Sequence, residues 1–174
     1  MKYFSLDAET DGLYGQAFAV GAAVLDERGN VLDSFCEKCV APGITDAWTQ
    51  ENCLPYLSDV PDCESRDALR QHFWAFYTKY RKECVIVADV PCPVEAGLLR
   101  ACVIDDEEER RFQGPYPLID VASVLFARGV DPDVDRIAYS GWKGKRHHPL
   151  DDAVASALCL IRALGNDGPF IASD

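Results

Sequence analysis

The sequence lacks any apolar run long enough to cross a membrane. A transmembrane helix needs about 20 consecutive apolar residues, and no apolar run in this 174-residue chain approaches that length. The apolar part of the opening segment, residues 3–6, is also too short for a secretory signal. We therefore expect a cytoplasmic protein that makes no contact with a membrane.

Positive charge is scarce as well. The chain has 17 lysine and arginine residues against 29 aspartate and glutamate residues, which gives a net charge of −12. A protein that binds along duplex nucleic acid needs a stripe of basic side chains to neutralise the phosphates. The composition therefore argues against a long duplex-binding track, but it is compatible with a short acidic substrate held through bound cations.

The sequence shows no standard pattern for disulfides or structural zinc, although it contains eight cysteines. A reducing cytoplasm disfavours disulfides. The CxxC motif joins Cys36 and Cys39 within a predicted strand, where residues three apart face opposite sides. Adding Cys53 and Cys63 gives a spacing that matches no common zinc module. We therefore interpret the cysteines as small buried apolar residues.

The chain does have a hydrophobic content of 48%, which is typical of a globular protein. We predict a single domain over residues 1–174. The predicted strands are residues 3–6, 16–25, 31–40, 84–89 and 116–120. Four helices are predicted. The first carries the apolar stripe from Leu69 to Tyr80, the second begins near Pro93, and the third ends at Gly129. The fourth runs from near Leu150 to a C-terminal cap at Gly165.

The order of these elements predicts the fold class. Three strands joined by short turns indicate an antiparallel meander, and strands that alternate with helices indicate parallel crossovers. We therefore predict an α/β fold with a mixed five-stranded sheet flanked by helices. Polar or irregular connections are predicted at residues 44–64 and 130–146, and the charge run at 105–111 reads as a solvated loop or a frayed helix end.

Two acids at the end of the first predicted strand are the first candidate site. Asp7 and Glu9 are two residues apart, so in an extended chain both carboxylates project from the same side. Carboxylate oxygens are the ligands that Mg²⁺ and Mn²⁺ prefer. Alternatively, the two acids simply end a strand before the turn at residues 11–12. A calcium-binding EF-hand loop is rejected, because its twelfth position is Phe18 instead of glutamate.

The second informative stretch is residues 147–153. Asp152 begins the last predicted helix and could point at the sheet, and His147 precedes that helix on a loop. A histidine beside a metal-facing aspartate suits a general base. Taken alone, His147, His148 and Asp151 also fit an exposed polar loop and helix cap.

Together these two stretches resemble the first and third motifs of the DEDDh-type 3′–5′ exonucleases, a family that includes RNase T, oligoribonuclease and polymerase proofreading subunits. Residues 7–13 match the first motif, and His147 to Ala153 match the third, with Pro149 where alanine is usual. The resemblance spans residues 2–164 and implies the ribonuclease H-like fold. It implies that His147 is the general base and that His148 faces solvent or a substrate phosphate.

The second motif of that family is irregular in this chain. The family has an acid shortly after a strand and before an apolar pair at a helix start. Glu95 fits this position best, since it precedes Leu98 and Leu99, and Asp89 at the strand end is the competing residue.

The resemblance implies an activity and a set of site residues. Asp7, Glu9, Asp152 and either Glu95 or Asp89 would hold two Mg²⁺ or Mn²⁺ ions, with His147 as base. The reaction would trim single-stranded RNA or DNA, with short oligonucleotides favoured, and would release nucleoside 5′-monophosphates.

The resemblance also implies how substrate is met. Thr10, Gly12 and Leu13 would contact the terminal nucleotide. Trp48 and Trp142 are available for base stacking, but we expect them to pack in the protein. Two alternatives stay open: a catalytically weakened nucleic-acid- or partner-binding domain, and a hydrolase of small phosphoesters. A homodimer is compatible with the sequence.

Overall fold

A computed structural model describes residues 1–165 and contains one five-stranded mixed sheet flanked by helices. The strands are β1 (Lys2–Thr10), β2 (Ala17–Asp26), β3 (Val31–Lys38), β4 (Val85–Ala88) and β5 (Leu118–Asp120). The helices are α1 (Ala47–Asn52), α2 (Arg66–Tyr80), α3 (Val94–Ile104), α4 (Glu107–Arg110), α5 (Val121–Ala127), α6 (Arg136–Ser140) and α7 (Pro149–Ala163). The predicted domain also included residues 166–174, which lie outside the described part.

The sheet confirms the predicted combination of a meander and crossovers. Its strand order is β3-β2-β1-β4-β5. β1 pairs antiparallel with β2, and β2 pairs antiparallel with β3. β1 pairs parallel with β4, and β4 pairs parallel with β5. The carboxyl ends of β1, β4 and β5 therefore open at the same edge of the sheet.

The alternation of side chains along β1 divides the core into two layers. Phe4, Leu6 and Ala8 pack with the apolar residues of α2 and α3 on one face. Tyr3 packs with α5 and α7 on the other face. Because Asp7 and Glu9 are at odd positions like Tyr3, their side chains project on the α7 side of the sheet.

The first strand is longer than predicted, because it ends at Thr10 instead of Leu6. The pairing with β2 continues through the acids, with Glu9 opposite Ala19, so Asp7 and Glu9 lie inside the strand. Two short helices also lie in stretches predicted to be irregular. Asp46 caps α1 by accepting from the Thr49 N–H, and Asp135 caps α6.

The C-terminal end of α7 follows the prediction. Gly165 has a left-handed φ of +78°, and its N–H donates to the carbonyl of Arg162 at 3.0 Å. This geometry closes a helix end at low steric cost only for glycine. No helix within residues 1–165 is long and apolar enough to cross a lipid bilayer.

Candidate active site

A cleft of about 560 Å³ lies at the carboxyl end of β1, between α3, α6 and the start of α7. Asp7, Glu9 and Asp152 line it, and one carboxylate oxygen from each lies within 4.8 Å of the others. The structure thus brings together acids that the sequence predicted from two distant stretches. Their side-chain oxygens form a compact donor set.

Gly21 explains how α7 comes close enough to complete this set. It lies in β2 directly opposite Asp7. A Cβ atom at Gly21 would lie 2.2 Å from the backbone N of Leu150 and 2.2 Å from the backbone C of Pro149. The missing side chain therefore lets the first turn of α7 rest against the sheet, which places Asp152 beside Asp7 and Glu9.

Glu95 reaches the same cleft from the first turn of α3. The parallel pairing of β1 with β4 stops at Ser5, three residues before the Ala8 N–H. Glu95 Oε1 accepts from this N–H at 3.2 Å, and the side chain is buried. The first turn of a helix also favours a carboxylate, because its N–H groups carry partial positive charge.

The electrostatics of these four acids are unfavourable without a cation. Burial and the charges of Glu95, Asp152, Glu9 and Asp89 hold the pKa of Asp7 well above its usual range. Burial raises the pKa of Glu9 to about 6. Burial, followed by the charge of Glu9, raises the pKa of Asp152 to about 7. Burial raises the pKa of Glu95 to about 8.

This donor set fits a hard divalent cation. All of its ligand atoms are carboxylate oxygens, which suits Mg²⁺ or Mn²⁺ better than softer metals. The charges that act on Asp7 are all negative, so a bound cation would relieve the repulsion that raises its pKa.

Asp89 also lines the cleft, but it is held by an arginine. Arg136 Nε lies 2.8 Å from Asp89 Oδ2, and Arg136 Nη2 donates to Asp89 Oδ1 at 3.0 Å. This contact pairs the Asp89 carboxylate with a guanidinium group. Of the two residues that competed for the second motif, the geometry therefore favours Glu95 as the fourth acid.

His147 lies at the rim of the cleft, as expected for a general base. Its Nδ1 lies 4.0 Å from Glu9 Oε1, and its side chain is 40% exposed. Its backbone N–H partly offsets the rise in the pKa of Asp152. Burial, and then the charge of Arg146, lower the pKa of His147. The neutral ring that a base requires is therefore present at a lower pH than for an ordinary histidine.

His148 has a structural role, and the expectation that it faces solvent or a substrate phosphate is wrong. Its side chain is 12% exposed. Nδ1 caps α7 by accepting from the Asp151 N–H at 3.4 Å, and Nε2 lies 3.8 Å from Asp59 Oδ1. The His148 ring therefore caps the N-terminus of α7 and does not line the cleft.

A second cleft of about 350 Å³ adjoins the acids and is lined by Thr10, Gly12 and Leu13. Thr49 Oγ1 accepts from the Gly12 N–H at 3.2 Å and lies 3.2 Å from the Thr10 carbonyl oxygen. Gly12 has a φ of +73°, a conformation that disfavours other residues. All three residues of the first motif that were predicted to meet substrate thus share one cavity.

The aromatic residues divide differently from the prediction. Trp142 packs against the α7 core and donates through Nε1 to Asp151 Oδ1 at 2.8 Å, which confirms its packing role. Trp48 is 57% exposed and lines the second cleft, so its expected packing role is wrong. Its ring meets the His147 ring edge-on, with centroids 5.4 Å apart.

Asp11 ties the first motif to the following loop. It accepts from the backbone N–H groups of Thr45 and Asp46 at 2.8 Å and from Thr45 Oγ1 at 3.0 Å. These bonds, with that to Asp46 first, lower the pKa of Asp11. These bonds explain why an acid occurs at position 11 although it does not join the cluster of Asp7, Glu9 and Asp152.

Sequence reasoning assigned Trp48 to packing, missed Thr49, interpreted Cys53 as a small buried apolar residue, and missed Arg136. Each comes from a stretch predicted to be irregular, where neither hydrophobic period nor turn residues give a direction to the side chain. The N-cap signal at Asp46 was the one local cue to α1, which carries Trp48 and Thr49.

No protein-family model and no curated protein matches this chain.

Proposed function

We propose that this protein is a metal-dependent 3′–5′ exonuclease with a ribonuclease H-like fold. Its substrate would be single-stranded RNA or DNA, with short oligonucleotides favoured, and its product would be nucleoside 5′-monophosphates. The observation that carries the proposal is the meeting of Asp7, Glu9 and Asp152 within 4.8 Å, in a cleft that Glu95 and His147 also line. The meander followed by parallel crossovers supports the fold.

Asp7, Glu9, Asp152 and Glu95 would hold two Mg²⁺ or Mn²⁺ ions. When bound, such a pair supplies a nucleophilic water and stabilises the attacking and leaving oxygens of a phosphodiester. His147 accepts the proton of the attacking water, because its lowered pKa keeps the ring neutral and its side chain stands 40% exposed at the rim.

The second cleft would receive the terminal nucleotide. Leu13 is 60% exposed and Trp48 is 57% exposed, and both line this cleft beside the acids. A nucleobase of any identity can stack on an aromatic ring such as that of Trp48, at about 1–3 kcal/mol per base.

The charges around the cleft that holds the acids favour a short single strand over a duplex. The two arginines that line it are both paired with acids, Arg136 with Asp89 and Arg146 with Asp135. Binding therefore depends on the bound cations and on stacking, and few phosphates beyond the terminal one are neutralised. This arrangement suits trimming from one end.

End-labelled oligonucleotides test the proposal. Single-stranded RNA and DNA with a 5′ label should be shortened stepwise in Mg²⁺ or Mn²⁺, whereas a 3′ label should be released at once as a mononucleotide. Chelator should stop both reactions. Full activity in chelator would refute the metal mechanism. Hydrolysis of a small phosphodiester without any shortening of oligonucleotides would identify the alternative class of hydrolase.

A further inference from the structure

A second donor set overlaps the carboxylate cluster. One ligand atom each from Cys53, His147 and Glu9 lies within 4.8 Å of the others. Glu9 belongs to both sets, and His147 is the base of the proposed reaction. We propose that Glu9, Cys53 and His147 form an inhibitory site for Zn²⁺, in which the metal withdraws the base and one carboxylate from catalysis. The inhibitory part of this inference rests on the proposed function.

The segment around α1 builds this site. Cys53 ends α1, is 1% exposed, and packs with Phe18 and Leu57. Trp48 and Tyr56 flank the His147 ring, with centroid separations of 5.4 and 6.4 Å. One short stretch of chain therefore supplies both the thiol and the aromatic rings that hold the imidazole beside it.

The distances suit a small ion after a modest adjustment. Zn²⁺ binds sulfur at about 2.3 Å and nitrogen or oxygen at about 2.0–2.1 Å, so ligand atoms in a tetrahedral site lie roughly 3.3–3.7 Å apart. His147 Nδ1 and Glu9 Oε1 are 4.0 Å apart. His147 precedes α7 on a loop and can close this gap by a side-chain rotation, while Cys53 stays fixed in the core.

The chemistry of the two donor sets separates metals by softness. Thiolate and imidazole prefer Zn²⁺, whereas the oxygen-only set of Asp7, Glu9 and Asp152 prefers Mg²⁺ or Mn²⁺. Zn²⁺ binding replaces the proton of the Cys53 thiol, which leaves to solvent. A ring nitrogen of His147 that donates its lone pair to Zn²⁺ cannot accept a proton from water. The same cleft is therefore active with hard ions and blocked by a softer one.

Cobalt absorption tests the site without any reference to catalysis. Co²⁺ added to the metal-free, reduced protein should give the near-ultraviolet charge-transfer band of a cobalt thiolate. Cys53→Ser should abolish the band, and Cys102→Ser should keep it. Cys102 is the matched control, because it is equally buried but lies in the α2–α3 layer on the other face of the sheet. Absence of the band in the unaltered protein, or its survival in Cys53→Ser, would overturn the site.

Zinc affinity, measured by competition with a chromophoric chelator, is a second test of the site. Loss of even an outer-shell partner typically weakens metal binding by about 10–100-fold, so loss of the thiolate should cost at least about 100-fold. An affinity in Cys53→Ser equal to that of Cys102→Ser would overturn the assignment of Cys53 as a ligand.

Activity then tests the inhibition. In excess Mg²⁺, added Zn²⁺ should stop oligonucleotide trimming by the unaltered protein and by Cys102→Ser. The Cys53→Ser variant should resist Zn²⁺, with inhibition expressed relative to its own rate without zinc. Equal inhibition of all proteins would refute the inhibitory role. If trimming is absent throughout, the proposed function fails, and the cobalt and zinc binding measurements still decide whether the site exists.

Discussion

The Asp7 carboxylate shows how the properties of a residue depend on its neighbours. It is surrounded by Glu95, Asp152, Glu9 and Asp89, which raise its pKa together with burial. Such an arrangement reduces the stability of the metal-free protein, because the charged form is disfavoured in the folded state. A buried acid whose pKa is strongly perturbed by neighbouring charges marks a candidate functional site.

Replacing Asp7 with asparagine tests whether its carboxylate lowers the stability of the metal-free protein and is needed for activity. Asp7→Asn removes a proposed metal ligand, so trimming in Mg²⁺ should fall by at least about 100-fold. The same change relieves repulsion, so the unfolding free energy of the metal-free protein should rise. Activity assays and thermal melts in chelator measure the two effects.

Asp11→Asn is the matched control for this variant, because it lies in the same motif but ties down residues 45 and 46. It should lose stability through weakened charged hydrogen bonds, and it should retain metal-dependent trimming. Loss of stability in Asp7→Asn would contradict the electrostatic account of the cluster.

Substitution of the two adjacent histidines should have different effects, one on the rate and the other on stability. His147→Ala should lower kcat by about 10²–10⁴-fold, the usual contribution of a positioned general base. His148→Ala should instead cost about 1 kcal/mol of stability by removing the N-cap of α7, and His148→Asn should restore most of it. Single-turnover rates and thermal melts distinguish the two.

The pH profile adds a second readout for His147. The rate should fall as the pH drops through the pKa of His147, because the protonated ring cannot accept a proton, and this fall should lie below the usual histidine range. A larger rate loss for His148→Ala than for His147→Ala would show that the roles are reversed.

At the residue level, the sequence predicted the acids whose direction follows from local geometry. Asp7 and Glu9 share a face because side chains alternate along a strand, and Asp152 follows from the apolar stripe of α7. Cys53 and Trp48 could not be predicted in the same way. They reach His147 only through tertiary contacts between segments that are distant in sequence.

Among the secondary-structure elements, α7 depends on one glycine for its position. The first turn of the helix rests on Gly21, and the apolar stripe below it packs against Tyr3, Ala23 and Leu25. The helix and the sheet were each predictable from their hydrophobic periods. Their close approach was not, because it depends on the absence of a side chain at one strand position.

Gly21→Ala should therefore disturb the site through the helix. The added methyl group would meet the backbone at Pro149 and Leu150 and push the first turn outward. Overpacking of this kind typically costs about 1–3 kcal/mol, and the displacement of Asp152 should lower trimming as well. Thermal melts and activity assays measure both effects.

The matched control is Gly97→Ala in α3, where an added Cβ meets nothing within 4 Å. Alanine there should stabilise the helix by up to about 1 kcal/mol and leave activity intact. An unchanged melt for Gly21→Ala would show that α7 is not seated on the sheet as described.

At the scale of the whole molecule, the net charge of −12 shapes how a nucleic acid would bind. For single strands, the slope of log affinity against log salt is about 0.7 per neutralised phosphate. Because both cleft arginines are paired with acids, we expect a shallow slope, equivalent to about one to three contacts. Titrations at several salt concentrations with Ca²⁺ in place of Mg²⁺ measure it, and a steep slope or tight duplex binding would reveal a basic track.

The buried acids also make the stability of the whole molecule depend on pH. Glu9, Asp152 and Glu95 have pKa values of about 6, 7 and 8, above those of exposed carboxyl groups. A group with a raised pKa binds more protons in the folded state than in the unfolded state, so its contribution to stability is lost as the pH rises. In chelator, the melting temperature should therefore rise as the pH is lowered from about 8 to about 5.

Saturating Mg²⁺ should remove most of this dependence, because the cation takes the place of the protons. Glu95→Gln should flatten the profile of the metal-free protein by deleting the group with a pKa of about 8. Glu108→Gln, which removes the same charge from the exposed surface of α4, should leave the slope as it is. If both variants changed the slope equally, general repulsion among surface acids would be its cause, and the buried cluster would not be the pH-sensitive element of the fold.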